Sequence, residues 1–153
     1  MKITVINRYE LGRLDKVDPP AALISVRNSR ARDFEDDDPF WMSSHNIHAH
    51  VHFCFDDVQR DDLASARPIT EQDAMLIAAL AHYWADRGCE HIICQCPAGL
   101  SRSAGMAAAL AKYFNGDDTR YFKEYLPNMR VYRMVLNALY DTEGKEETIE
   151  ADM

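Results

Sequence analysis

The chain has 153 residues, 47% of them apolar and 27% charged, with 17 Lys+Arg against 25 Asp+Glu. A chain of this size buries most of its unfolded surface as one domain, and 6 Gly with 6 Pro exclude a collagen-like or low-complexity architecture. The formal charge of −8 argues against nucleic-acid or membrane partners, which need a basic face.

Lys2–Ile6 and residues 21–26 are short apolar runs of strand type. They are followed by an acidic stretch at residues 33–38 and Pro39, read as a surface excursion within one domain. Residues 47–55 alternate strictly: Ile47, Ala49, Val51, Phe53 and Phe55 lie on one face, His48, His50, His52 and Cys54 on the other. Imidazoles two apart on a strand can share a metal, but no partner loop of matching spacing exists, so an exposed polar face is the simpler expectation. A helix starts after Thr70, with Asp73 completing an approximate capping box. Leu76, Ile77, Leu80, Tyr83 and Trp84 give it an apolar face, and Gly88 stops it. Then come a strand at His91–Gln95, a turn over 96–101 and an Ala-rich helix from Arg102 to Asn115 ended by Gly116. Two further helices fall at about 118–125 and 128–140.

Strands alternating with helices imply an α/β fold: a single-domain three-layer sandwich whose mixed, mostly parallel sheet is flanked by helices. Residues 1–140 form that domain, and 141–153, with one basic residue against six acidic ones, reads as an acidic flexible tail. Charge early in the chain argues against a signal peptide and no apolar run is long enough for a membrane span, so a cytoplasmic monomer with free thiols is expected.

The informative segment is Cys94-Gln95-Cys96-Pro97-Ala98-Gly99-Leu100-Ser101-Arg102-Ser103, a strand running through a loop into a helix. Successive backbone N–H groups at a helix N-terminus make a concave anion site, and the same field favours a thiolate over a thiol. Cys96 is the candidate nucleophile, and Arg102 would clasp phosphoryl oxygens in a bidentate grip. With 4 Cys and 12 Arg in the chain, Cys-x5-Arg arises about 0.3 times by chance. The spacing alone is therefore weak evidence; the strand before it, the helix after it, and Gly99, Ser101 and Ser103 within it supply the specificity.

Cys96-Pro97-Ala98-Gly99-Leu100-Ser101-Arg102-Ser103 resembles the phosphate-binding loop of the cysteine-dependent protein tyrosine phosphatase superfamily, compact dual-specificity-like branch. Phe53-Cys54-Phe55-Asp56-Asp57-Val58 is similar to the segment that carries that family's general acid, and Pro127-Asn128 to its closing segment. The resemblance implies a metal-independent phosphomonoester hydrolase without cofactor. In it the Cys96 thiolate forms a phosphocysteine, and Asp57, with Asp56 as competitor, protonates the leaving oxygen and then activates water. Ser103 assists the sulfur, and Ala98, Gly99, Leu100, Ser101 and Arg102 bind the phosphate. Phosphotyrosine in proteins is the leading substrate, with phosphoserine, phosphothreonine or small aryl phosphates beside it. The loop lacks lysine, and residues 31–74 carry 3 basic residues against 11 acidic ones, which disfavours polyanions.

Gln95 departs from the family pattern, which has His there, and cannot carry positive charge. A rhodanese-like sulfurtransferase, an arsenate reductase and a low-turnover phosphate-binding module are the alternatives on the same residues. Cys89 and Cys94 read as core or strand residues, and Asn7-Arg8-Tyr9, superficially like a phosphotyrosine-recognition sequence, as a coincidence at a strand end.

Overall fold

A computed structural model of the chain describes residues 1–30, 39–61 and 65–144. The acidic stretch 33–38 and the tail beyond residue 144 lie outside the described residues. Among the described residues four strands, β1 (Lys2–Ile6), β2 (Ala21–Arg27), β3 (Ile47–Cys54) and β4 (His91–Gln95), form one sheet in the order β1-β4-β2-β3. Every pairing is parallel, so the expected mixed sheet is wholly parallel among the described residues.

Among the described residues six helices accompany it: α1 (Arg8–Gly12), α2 (Pro39–Ser44), α3 (Glu71–Asp86), α4 (Arg102–Asn115), α5 (Thr119–Glu124) and α6 (Met129–Asp141). Residue parity decides which face each side chain serves. Ala22, Ile24 and Val26 of β2, with Ile92 and Cys94 of β4, join the larger core under α3, α4 and α6. Ala21, Leu23 and Ile93 join a smaller core with Leu11, Trp41 and Met42. This is the three-layer sandwich, built around strands buried on both faces.

Thr70 and Asp73 make the capping box reciprocally at the start of α3. The helix keeps Ile77, Leu80 and Trp84 of the expected face inward and adds Ala74, Ala78, Ala81 and His82, while Leu76 and Tyr83 are 53% and 44% exposed. Alanines carry little apolar weight in a pattern, yet they let a helix pack close to its neighbours. Tyr83 is instead covered by the Arg87 guanidinium, 3.5 Å above its ring. Gly105 has the same effect between α4 and α6, where a Cβ would stand 2.7 Å from the Asn128 carbonyl oxygen.

Because all strands are parallel, their carboxyl ends share one edge, where α/β sheets collect ligands. β4, last in sequence, is inserted between β1 and β2, so the segments following Ile6, Arg27, Cys54 and Gln95 meet there. No helix of the described residues is long and apolar enough to cross a membrane.

Candidate active site

The loop between β4 and α4 is held from outside by its carbonyls. Pro97 O accepts from Arg8 N–H at 3.2 Å, Leu100 O from Leu126 N–H at 3.0 Å, and Ser101 O from Asn128 N–H at 2.9 Å and Gly105 N–H at 2.8 Å. In a trans peptide the C=O and the next N–H point oppositely. The N–H groups of Ala98, Ser101 and Arg102 are therefore directed to the inner, concave side. Gly99 turns the loop at φ +65°, and a Cβ there would stand 2.8 Å from Asn7 N, so only glycine fits. Its N–H lies 3.3 Å from Cys96 Sγ.

Cys96 is 1% exposed, and Ser103 Oγ lies 3.0 Å from its sulfur. Ser101 occupies the N-cap of α4 but makes no side-chain cap, so the helix presents its first N–H groups to the loop. Arg102 is 6% exposed, and its Nη1 donates to Phe55 O and to Asn28 Oδ1, each at 2.8 Å. Its Nε is buried with no partner. A guanidinium fixed at one nitrogen with another donor unused is prepared for an anion.

The two aspartates after β3 have different surroundings. Asp57 Oδ1 accepts from Ser101 Oγ at 2.8 Å and from Asn128 Nδ2 at 2.9 Å, which sets this carboxylate at the mouth of the loop. The Asn128 side chain also reaches Val58 O at 3.3 Å and caps α6 at Val131 N–H, 3.1 Å away. Asp56 turns elsewhere: Oδ1 accepts from Ser29 N–H at 2.9 Å, and Oδ2 from Ser29 Oγ at 2.6 Å and Arg67 N–H at 2.7 Å. Desolvation pushes its pKa up, but the Ser29 hydroxyl, the Arg67 and Ser29 amides and the field of Arg102 outweigh it and hold the carboxyl below its ordinary value.

The structure thus sets Gly99 and Ser103 against the Cys96 sulfur and Asp57 against Ser101, all on or beside the loop that also carries Ala98, Arg102 and the 47% exposed Leu100. Gln95 is buried at the end of β4, in register with Ile6 and Ser25. Asn28 and the Phe55 carbonyl are not foreseen in the sequence, since a backbone oxygen and a lone asparagine leave no pattern. Asn7 has a part that the sequence reading does not give it: it caps α1 through a reciprocal box with Glu10, and it packs on Gly99. The Asn7-Arg8-Tyr9 segment is accordingly part of the loop's support rather than a bare strand end.

Cys94 lies in the same buried cluster as Cys96, and burial first, then Cys96, pushes its thiol upward. Cys89 is half-buried, donating from Sγ to His91 O at 3.2 Å. The histidine face of β3 is half-buried rather than fully exposed. His50 Nε2 pairs with Ser25 Oγ of β2 at 2.8 Å, and the His50 and His52 rings are 4.1 Å apart. Among the described residues no group of three or more His, Cys, Asp or Glu side chains is placed to hold a metal.

Comparison of the sequence finds no matching family model and no matching curated protein. Comparison of the fold does find similar solved structures. DUSP15 matches with a TM-score of 0.53 at 14% identity, over 99% of this chain and 92% of that one. The human tyrosine phosphatase-like serine/threonine/tyrosine-interacting protein matches with a TM-score of 0.52 at 15% identity, over 95% and 87%. PTPMT1 in complex with PI(5)P matches with a TM-score of 0.50 at 15% identity, over 98% and 94%. The chain shares the fold of these dual-specificity and tyrosine-phosphatase-like structures.

Proposed function

We propose that the chain is a phosphomonoester hydrolase that works through a phosphocysteine at Cys96. The observation that carries this reading is one loop that holds the buried Cys96 sulfur against the Gly99 N–H, turns its carbonyls outward, and leads into a buried Arg102 whose Nε has no partner. A phosphoryl group seated there meets donors on its equatorial oxygens and a sulfur along the axis. The Cys96 thiolate attacks phosphorus, forming the S–P bond as the P–O bond to the leaving group breaks. Asp57 protonates that oxygen, a contribution of roughly 10²–10⁴-fold. Water then attacks the phosphocysteine, giving its proton to Asp57 and releasing phosphate, while Ser103 Oγ, 3.0 Å from Sγ, stabilises the departing thiolate. Asp57 is the acid rather than Asp56, because both oxygens of Asp56 are already occupied by three donors. Gln95 adds no charge, so the thiolate relies on the loop, the helix end and Arg102.

The site supplies its positive field from Arg102 and backbone amides, so activity in the presence of a chelator is expected. Phosphotyrosine in proteins is the proposed substrate class. The loop has no lysine, and Asp57 lies in an acidic stretch of sequence, which favours one monoester over a polyphosphorylated ligand. The test is steady-state hydrolysis of an aryl phosphate with chelator present, followed by a panel of phosphotyrosine, phosphothreonine and phosphoinositide substrates. Turnover that depends on Cys96 and favours phosphotyrosine supports the reading; full activity of Cys96→Ser would sink it.

A further inference from the structure

Asp56 and Asp57 are adjacent, yet only Asp57 faces the loop. The three donors on Asp56 come from two segments, Ser29 after β2 and Arg67 before α3. Ser29 follows Asn28, whose Oδ1 is one of the two acceptors that hold Arg102 Nη1; the other is Phe55 O, on the residue before Asp56. A four-residue path therefore connects Asp56 through Ser29 and Asn28 to Arg102. Asn28 is exposed and carries no burial of its own to fix it. Its conformation depends on the turn that Asp56 clamps.

We propose that Asp56 is a positioning residue for the phosphate-binding arginine: by fixing the Asn28-Ser29 turn, it holds the Arg102 guanidinium in the orientation that leaves Nε free for a phosphoryl oxygen. This rests on the phosphatase reading and deepens it. An uncharged replacement cannot serve. In Asp56→Asn the carboxamide would put its NH₂ either at the Oδ1 position, facing the Ser29 N–H, or at the Oδ2 position, facing the Arg67 N–H, so a donor meets a donor either way. The Arg102 charge contributes to holding Asp56 ionised, so the carboxylate and the guanidinium support each other across the turn.

The test is a double-mutant cycle on inorganic phosphate binding, measured by titration calorimetry near neutral pH, with Asp56→Asn, Asn28→Ala and the double variant. Each single change is expected to weaken phosphate binding about tenfold, as the loss of one hydrogen bond to a charged group implies. The double variant should be no weaker than about tenfold, because both act through one link. The dependence of kcat on the leaving group supplies a second readout. Asp56→Asn should lose kcat equally with poor and good leaving groups, whereas Asp57→Asn loses far more with the poor one. If Asp56→Asn does not fold, Ser29→Ala, which deletes only the hydroxyl contact, replaces it in the cycle with the same expected non-additivity. Unchanged phosphate affinity with a lowered melting temperature assigns Asp56 to stability alone and overturns the proposal. Losses that multiply to about a hundredfold overturn it too, as does a loss of kcat in Asp56→Asn confined to the poor leaving group. Absence of phosphate binding by the unsubstituted protein is a different result, since it removes the phosphatase reading and this inference with it.

Discussion

Gly99→Ala perturbs the loop at its most constrained residue. At φ +65° an alanine costs roughly 1–2 kcal/mol relative to an ordinary backbone conformation, which for a chain of this size lowers the melting temperature by about 2–8 °C. The steric effect is separate. The new Cβ would stand 2.8 Å from Asn7 Cβ and N and 2.9 Å from Asn7 Cα, against 3.4 Å for ordinary contact. Two of these three atoms are backbone, so the loop must retreat by about 0.6 Å, the difference between those distances. A misplacement of about 1 Å costs on the order of a hundredfold in rate, so kcat/KM for an aryl phosphate should fall about tenfold. Gly116→Ala is the control: it has φ +79° and nothing within 4 Å of its Cβ, at the far end of α4. It should lose comparable stability and retain its rate. Gly99→Ala with a rate within about twofold of the unsubstituted protein would refute the argument that Asn7 sets the loop's position.

Asp57→Asn should reduce kcat by roughly 10²–10⁴-fold with a poor leaving group such as phenol, and far less with one that departs as a stable anion. Equal losses with both would count against Asp57 as the acid. Asn128→Ala removes the α6 cap, worth about 1 kcal/mol, and one of the two donors to Asp57; a lower melting temperature together with a several-fold lower kcat is expected. His91 is held neutral by burial, with the Pro19 carbonyl accepting from Nδ1 and Thr4 Oγ1 at 2.7 Å from Nε2. Its folded-state pKa is therefore depressed. Stability is fully present above about pH 6.5, the unfolded value, and declines as pH falls toward the folded one. His91→Gln should flatten the melting temperature over that range.

The chemistry of the loop is legible in the sequence because it is local: the nucleophile, the turn glycine and the arginine lie within seven consecutive residues, between a strand and a helix that each carry their own pattern. The capping box at Thr70 and the αL stop at Gly116 are readable for the same reason. Helices α1 and α2, of five and six residues, are too short to develop a period, although the Asn7/Glu10 pair is a capping signal. The buried stripe of α3 differs from the hydropathy pattern because close packing is made by alanines, which hydropathy underweights. The choice between Asp56 and Asp57 does not follow from alternation alone. It depends on Ser29, Arg67, Ser101 and Asn128, which only the folded chain brings to them.

Passage of phosphate through Cys96 is tested by rapid alkaline quenching of the protein during turnover of a radiolabelled aryl phosphate, followed by peptide mapping. Transient label, approaching one equivalent per chain, is expected on the peptide containing Cys96 and none in Cys96→Ser. Sustained turnover with no protein-bound label, or turnover by Cys96→Ser at the rate of the unsubstituted protein, would contradict it.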